Sequence, residues 1–284
     1  MIEPVQKGMN LLEDIEQSCC PTPNLWWLGH CGFVLKYHTL ILYIDPYLSN
    51  SQAHRFRNSA NPHKRLTASP LHPAAVRHAD LVLCTHAHNS HLDPGTVPAI
   101  LESSPRARLV LPKSVAGRAN AMNVDYLRMT TMDADLRVDI NKDGADCHIF
   151  AVPSAHESLD WNPIDGHPYL GYVIQLGDWA IYHAGDCVPY PGLAERLKQY
   201  ELTVAILPIN GRDAGRDMPG NFTIEEAAGL AGSAGARWLI PMHYDMFDEN
   251  NVDIERFVNH MLGSRPKQRF KVFQPGERWA VPEE

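Results

Sequence analysis

Three histidines fall within one short stretch, Leu81-Val-Leu-Cys-Thr-His86-Ala-His88-Asn-Ser90-His91-Leu-Asp93. Neutral imidazole is a common ligand for divalent cations. In extended backbone, residues i and i+2 point the same way, so His86 and His88 can converge on one ion. His91 lies beyond the turn and can face the same pocket from its other side. Solvated loop histidines would be the bland alternative in a chain that has fifteen. The downstream partners argue against it. His156 follows the apolar run 149–152, Asp186 follows the run 179–182 by way of Gly185, and His243 follows 238–240. Each ligand-type residue stands just past a short apolar run, as a metal pocket at one edge of a β-rich sandwich requires.

In order and rough spacing, this series resembles the ligand series of the metallo-β-lactamase superfamily: a His-x-His-x-Asp-His loop, a later His, a Gly-Asp and a final His. More local features, Trp26-Trp-Leu-Gly29, Ile209-Asn-Gly-Arg212 and Pro241-Met-His-Tyr-Asp245, resemble the branch containing L-ascorbate-6-phosphate lactonase. The resemblance implies a four-layer αββα sandwich of the α/β (α+β) class. It implies a first metal site of His86, His88 and His156, with Asp186 bridging to a second site of His91, Asp186 and His243. One departure stands out: Ser90 occupies the place of the loop aspartate. A neutral hydroxyl is a poor ligand beside a carboxylate, so the second site is expected to be weak or empty, and one or two ions per chain are open. The same aspartate helps orient the attacking water in this superfamily. Asp93 is read as orienting a ligand histidine. His88 stands where di-iron oxygen-activating members carry Glu, which favours hydrolysis.

A divalent ion on three histidines lowers the pKa of bound water towards ~7. The implied activity is therefore a metal-dependent hydrolase, lactonase-like, delivering hydroxide to a small anionic lactone or phosphorylated sugar-like ester. Asp186 and His243 are the catalytic candidates. Arg212 and Tyr244 are candidate substrate contacts, since a guanidinium fork matches phosphate or carboxylate; Arg212 and Arg216 could equally pair with Asp213 and Asp217. His30 and Cys31 lie in a turn between Gly29 and Gly32 and are read as turn residues, because chains of the resembled family vary there. His183 faces away from the pocket if Asp186 faces into it, and Cys187 is read as packing. Zinc and manganese both suit the ligands, and iron is possible. A phosphodiesterase or nuclease is the first rival, disfavoured because the stretch between Asp186 and His243 is too short for the domain that RNA-processing members insert. A protein that merely binds metal or ligand is the second, since Ser90 removes a ligand.

Charge and composition fit the same picture. The 284 residues carry a net charge of −8, without the basic footprint of a nucleic-acid binder. No apolar run approaches the ~18–20 residues of a membrane span, and no signal peptide is recognisable. The six cysteines lack disulfide-framework spacing, so a reduced, cytoplasmic setting is expected; homo-oligomers are possible. The chain reads as one domain over 1–284, with an N-terminal extension over 1–23. Segment 46–79 contains no Asp or Glu but five Lys or Arg; it is read as a long basic loop or lid with one helical turn that could attract an anion.

The positioning elements follow from pattern. A helix is expected at 8–17, then a meander of strands at 25–28, 33–37 and 40–45. After the histidine loop come a helix at 94–101 capped by Asp93, a strand at 109–111, a helix at 113–122, and strands at 126–129 and 136–140. The second half continues with strands 147–152, 169–176 and 179–183 around a Gly177-Asp178 turn, a helix at 191–199 and a strand at 203–207. A helix at 223–234 capped by Asn221 or Thr223, a strand at 237–241 and a helix at 252–263 follow. A closing hairpin at 270–281 turns around Pro275-Gly276.

Overall fold

A computed structural model describes residues 1–19, 21–59, 62–212, 220–248 and 251–283. In chain order the strands are β1 Asn24–Gly29, β2 Gly32–Tyr37, β3 Leu40–Ile44, β4 Leu81–Leu83, β5 Arg108–Pro112, β6 Met129–Met132 and β7 Arg137–Lys142. They continue as β8 Ala145–Pro153, β9 Leu170–Leu176, β10 Trp179–His183, β11 Val204–Pro208, β12 Trp238–Met242, β13 Arg269–Phe270 and β14 Arg278–Ala280. The α-helices are α1 Gly8–Gln17, α2 Ser51–Phe56, α3 Val97–Ser103, α4 Ala116–Ala121, α5 Leu193–Lys198, α6 Ile224–Ala234 and α7 Ile254–Ser264.

Two seven-stranded sheets face each other, ordered β14-β1-β2-β3-β4-β5-β6 and β13-β12-β11-β10-β9-β8-β7. Side-chain alternation along the strands explains the layering. Leu25, Trp27, Leu40, Leu42 and Ile44 point into the core shared with the second sheet. Their neighbours Trp26, Leu28, Ile41 and Tyr43 point outwards and are covered by residues of α1, α3 and α4. Helices α6 and α7 pack on the second sheet through Ala227, Ala231 and Phe257. This is the expected αββα sandwich.

Local chemistry fixes the elements nearest the site. Lys36 Nζ donates to the carbonyls of Ile15 and Glu16 at 2.9 and 2.6 Å, satisfying the end of α1. Thr223 and Glu226 form a reciprocal capping box at the start of α6, so Thr223 is its cap. The meander and the Gly177-Asp178 turn stand where the pattern puts them. The basic segment 46–79 carries α2 and a three-residue 3₁₀ turn at Pro73–Ala75.

Four expectations change. The 94–101 helix begins at Val97, because the Asp93 carboxylate bonds Ser49, Gly95 and Thr96 instead of capping position 94. The 113–122 helix splits into a 3₁₀ turn and the short α4. Residues 126–128 form a 3₁₀ turn, since Asp125 accepts the Leu127 N–H; β6 starts at Met129. The closing hairpin does not form. β13 adds to β12 in the second sheet and β14 adds to β1 in the first. The chain crosses between layers because Gly276 N–H donates to the Trp27 carbonyl at 2.7 Å. The φ of +77° at Gly276 and the Gln6 backbone, 2.1 Å from where a Cβ would sit, leave room for glycine alone.

Candidate metal centre

The histidine loop follows β4, His156 follows β8, Asp186 follows β10 and His243 follows β12. All open at one edge of the sandwich, and the loops converge on Asp186. Its Oδ2 lies 3.8 Å from His86 Nε2 and 3.5 Å from His156 Nε2. Its Oδ1 lies 3.4 Å from His91 Nε2 and 3.6 Å from His243 Nε2. The two oxygens of one carboxylate therefore face two separate histidine sets. One donor atom from each of His86, His88, His156 and Asp186 lies within 4.8 Å of the others, and the same holds for His30, Cys31, His91 and His243.

Three of the imidazoles are aimed by their far nitrogens. His91 Nδ1 donates to Asp45 Oδ2 at 2.7 Å. His156 Nδ1 donates to the Gly220 carbonyl at 3.1 Å. His86 Nδ1 lies 3.0 Å from Thr85 Oγ1, whose own proton goes to Asp45 at 2.7 Å. Such partners fix each ring with Nε2 facing the centre, where it can ligate a cation once unprotonated. His86 Nε2 and His91 Nε2 are buried without a hydrogen-bond partner, with only the carboxylate nearby. Buried acceptors left unpaired are rare, and this donor set fits a divalent cation.

Electrostatics agree. Burial alone would raise the Asp186 carboxyl, but the facing imidazoles, His91 and His243 foremost, hold it well below the usual carboxylate range. Burial pulls His86 well below its ordinary value, helped by His91 and His88. Burial likewise brings His88 and His243 down to about 4, against the pull of Asp186. His91 is the exception: burial lowers it, yet Asp186 and Asp45 together push it up to about 10. The metal-free pocket thus pairs one imidazolium with one carboxylate among neutral imidazoles, and a cation entering it displaces that proton.

Backbone strain concentrates here. His30, Asp45 and His243 have φ values of 56°, 42° and 69°, left-handed conformations unusual for these residues. At Gly185, φ is +62° and a Cβ would stand 2.7 Å from Thr85 Cβ, so only glycine lets Asp186 approach the histidine loop.

The structure brings together His86, His88, His91, His156, Asp186 and His243. Arg212 is turned elsewhere: its fork grips Glu226 at 2.8 and 2.5 Å and the Asn221 carbonyl at 3.0 Å. Tyr244 is also spent, against the substrate-contact expectation. It is buried, stacks on Trp27 with ring centroids 4.4 Å apart, and its hydroxyl donates to the Phe273 carbonyl at 2.7 Å. Arg216, Asp213 and Asp217 lie outside the described residues. Asp93 anchors Ser49 and Thr96 rather than a histidine; Asp45 does the orienting. His183 faces away, its Nε2 2.9 Å from the Cys31 carbonyl. Cys187 is buried in the core.

Sequence reasoning missed three residues. Asp45 is one acid at a strand end, and nothing in its neighbourhood marks it. Tyr169 stands beside His86, His88 and His156 with centroid distances of 5.3, 6.3 and 5.3 Å; it precedes β9 without a motif. His30 was legible only as a turn histidine, yet its ring lies 4.0 Å from that of His243.

Comparison with known proteins supports the same grouping. Residues 41–244 match the family model described as a beta-lactamase superfamily domain. A UPF0173 metal-dependent hydrolase of Thermococcus kodakarensis is 31% identical over 260 residues, 88% of this chain and 96% of that protein. Its counterpart in Pyrococcus horikoshii is 30% identical over 257 residues, with the same coverage of 88% and 96%. A metallo hydrolase structure from Ignicoccus hospitalis superposes with a TM-score of 0.68 at 22% identity, covering 93% of this chain and all of that one, which is a likeness of fold.

Proposed function

Because the chain belongs to the metallo-β-lactamase superfamily, within its UPF0173 metal-dependent hydrolase family, we propose that it opens a lactone or cleaves a phosphoester in a small, anionic, sugar-like molecule. The observation that carries the hydrolytic reading is the split of Asp186, with His86 and His156 on one oxygen and His91 and His243 on the other. His86, His88, His156 and Asp186 would hold a divalent ion, zinc or manganese being the best fits to imidazole and carboxylate. Such an ion supplies Lewis acidity and a water acidified towards pH ~7. The chain does the rest. Asp186, held ionised by its neighbours, would keep its negative charge between the two histidine sets and orient the attacking water by accepting its hydrogen bond. Tyr169, half-buried beside the first histidine set, offers a ring and hydroxyl to the substrate. Arg55, Arg57 and Lys64 are exposed on a segment free of carboxylates and favour an anion.

No helix among the described residues is long and apolar enough to cross a membrane. Cys19, Cys31, Cys84, Cys147 and Cys187 are free thiols, which supports a reducing, cytoplasmic setting.

A panel of lactones and sugar phosphates, assayed with and without chelator, tests this reading alongside a His86→Ala/His88→Ala variant. A metal supplies several kcal/mol to the transition state, so turnover should fall by ~10³-fold or more in the variant. Hydrolysis that survives both chelation and the variant would overturn the proposal, as would activity confined to single-stranded RNA.

A further inference from the structure

Ser90 should leave the Oδ1 side of Asp186 short of a ligand. The turn between β1 and β2 brings two donors to that side. His30 is buried, and neither of its ring nitrogens has a hydrogen-bond partner. Its backbone carbonyl, by contrast, is engaged twice, accepting from His243 N–H and from Trp27 Nε1, both at 3.1 Å. The turn thus pins His30 against the His243 loop while leaving its imidazole free. The ring lies 4.0 Å from that of His243 and 5.6 Å from that of His91, centroid to centroid. Cys31 is fully buried, and its Sγ–H points at Asp186 Oδ1 from 3.9 Å. One donor atom from each of His30, Cys31, His91 and His243 lies within 4.8 Å of the others. Donors around a tetrahedral zinc ion stand about 3.3–3.8 Å apart, given Zn–N and Zn–S bonds of about 2.0–2.3 Å, so the side chains would draw in by up to about an ångström on binding.

We propose that His30 and Cys31 replace the missing loop carboxylate and, with His91 and His243, build a complete second metal site on Asp186 Oδ1. With the Asp186 carboxylate, three imidazoles and a thiolate form a softer set than one holding a second carboxylate in place of the thiolate. It selects zinc or cobalt over manganese and magnesium. Binding deprotonates the Cys31 thiol and the His91 imidazolium, and both protons pass to solvent.

The inference rests on the metal-hydrolase reading, and the experiment separates the two. Chelator-stripped protein is reloaded with zinc or with cobalt(II), and metal per chain is measured by elemental analysis. Wild type should hold two ions, and cobalt(II) should show a thiolate-to-metal charge-transfer band. His30→Gln should drop the count to one; Cys31→Ser should abolish the band; circular dichroism confirms that both variants fold. His86→Ala/His88→Ala should lose the other ion and keep the band. One ion in wild type that persists in His30→Gln, or a cobalt spectrum without the band, overturns the second site and leaves the hydrolase reading intact. No ion in wild type after reloading overturns both.

Discussion

The two sides of Asp186 differ in access. On the Oδ2 side, His86 and His156 are buried, but His88 and Tyr169 beside them are half-buried, which makes that set the more accessible. On the Oδ1 side, His30, Cys31, His91 and His243 are all buried. Backbone geometry differs too. His30 and His243 sit in left-handed conformations, whereas His86, His88 and His156 do not. An open, relaxed set suits a site that exchanges ligands in every turnover. An enclosed, strained one suits an ion that stays.

Asp45→Asn gives the sharpest test of that contrast. Asp45 holds His91 directly and reaches His86 only through Thr85. Losing such an orienting partner typically costs 10–100-fold in metal affinity. Zinc titrations should show that loss for the tighter-held second ion, with a much smaller change for the first. Equal losses would erase the distinction between the two sides.

Gly185→Ala strikes both sides at once, because it sits beside Asp186 and its Cβ would meet Thr85. Forcing a side chain into that left-handed position costs about 1–3 kcal/mol. Urea unfolding should report this cost, with both ions weakened together. A loss restricted to one ion would show that Asp186 does not couple them.

Proton linkage in the metal-free protein gives the smallest effect. His88 and His243 are brought down to about 4 from an ordinary value of 6.5. The unfolded chain therefore binds more protons between those values, and stability falls as pH drops from about 6.5 to 4. His91, raised to about 10, acts oppositely: its contribution is complete below 6.5 and fades as pH rises through 10. Denaturant midpoints of stripped protein should decline towards both limits. A midpoint flat from pH 6.5 to 4 would contradict the burial of His88 and His243.

Local signals made much of this legible. The meander, the Gly177-Asp178 turn and the His86–His91 loop are written in neighbouring residues, and the ligand series follows the strand ends. What escaped depends on distant pairings. Asp45 meets His91 across 46 positions, and Arg212 meets Glu226 across 14. His30 and Cys31 read as turn residues because chains of the resembled family vary there, and only the folded sheet shows what the turn faces. The expected hairpin failed for the same reason: nothing local says that β13 and β14 belong to opposite layers.

That last feature bears on how the molecule comes into being. Arg278 and Asn24 pair across 254 positions, and Trp27 exchanges backbone hydrogen bonds with Gly276 and Glu277. β1 lies early in the chain, yet its outer edge is covered only by β14, far downstream. Closing so long a loop carries the largest entropic toll of any contact in the first sheet. The β1–β2 turn, and with it His30 and Cys31, is held by an equally distant partner, since the His30 carbonyl accepts the His243 N–H. The histidine loop after β4 likewise depends on His156 and Asp186 from the second sheet, so both halves of the centre need both layers in place.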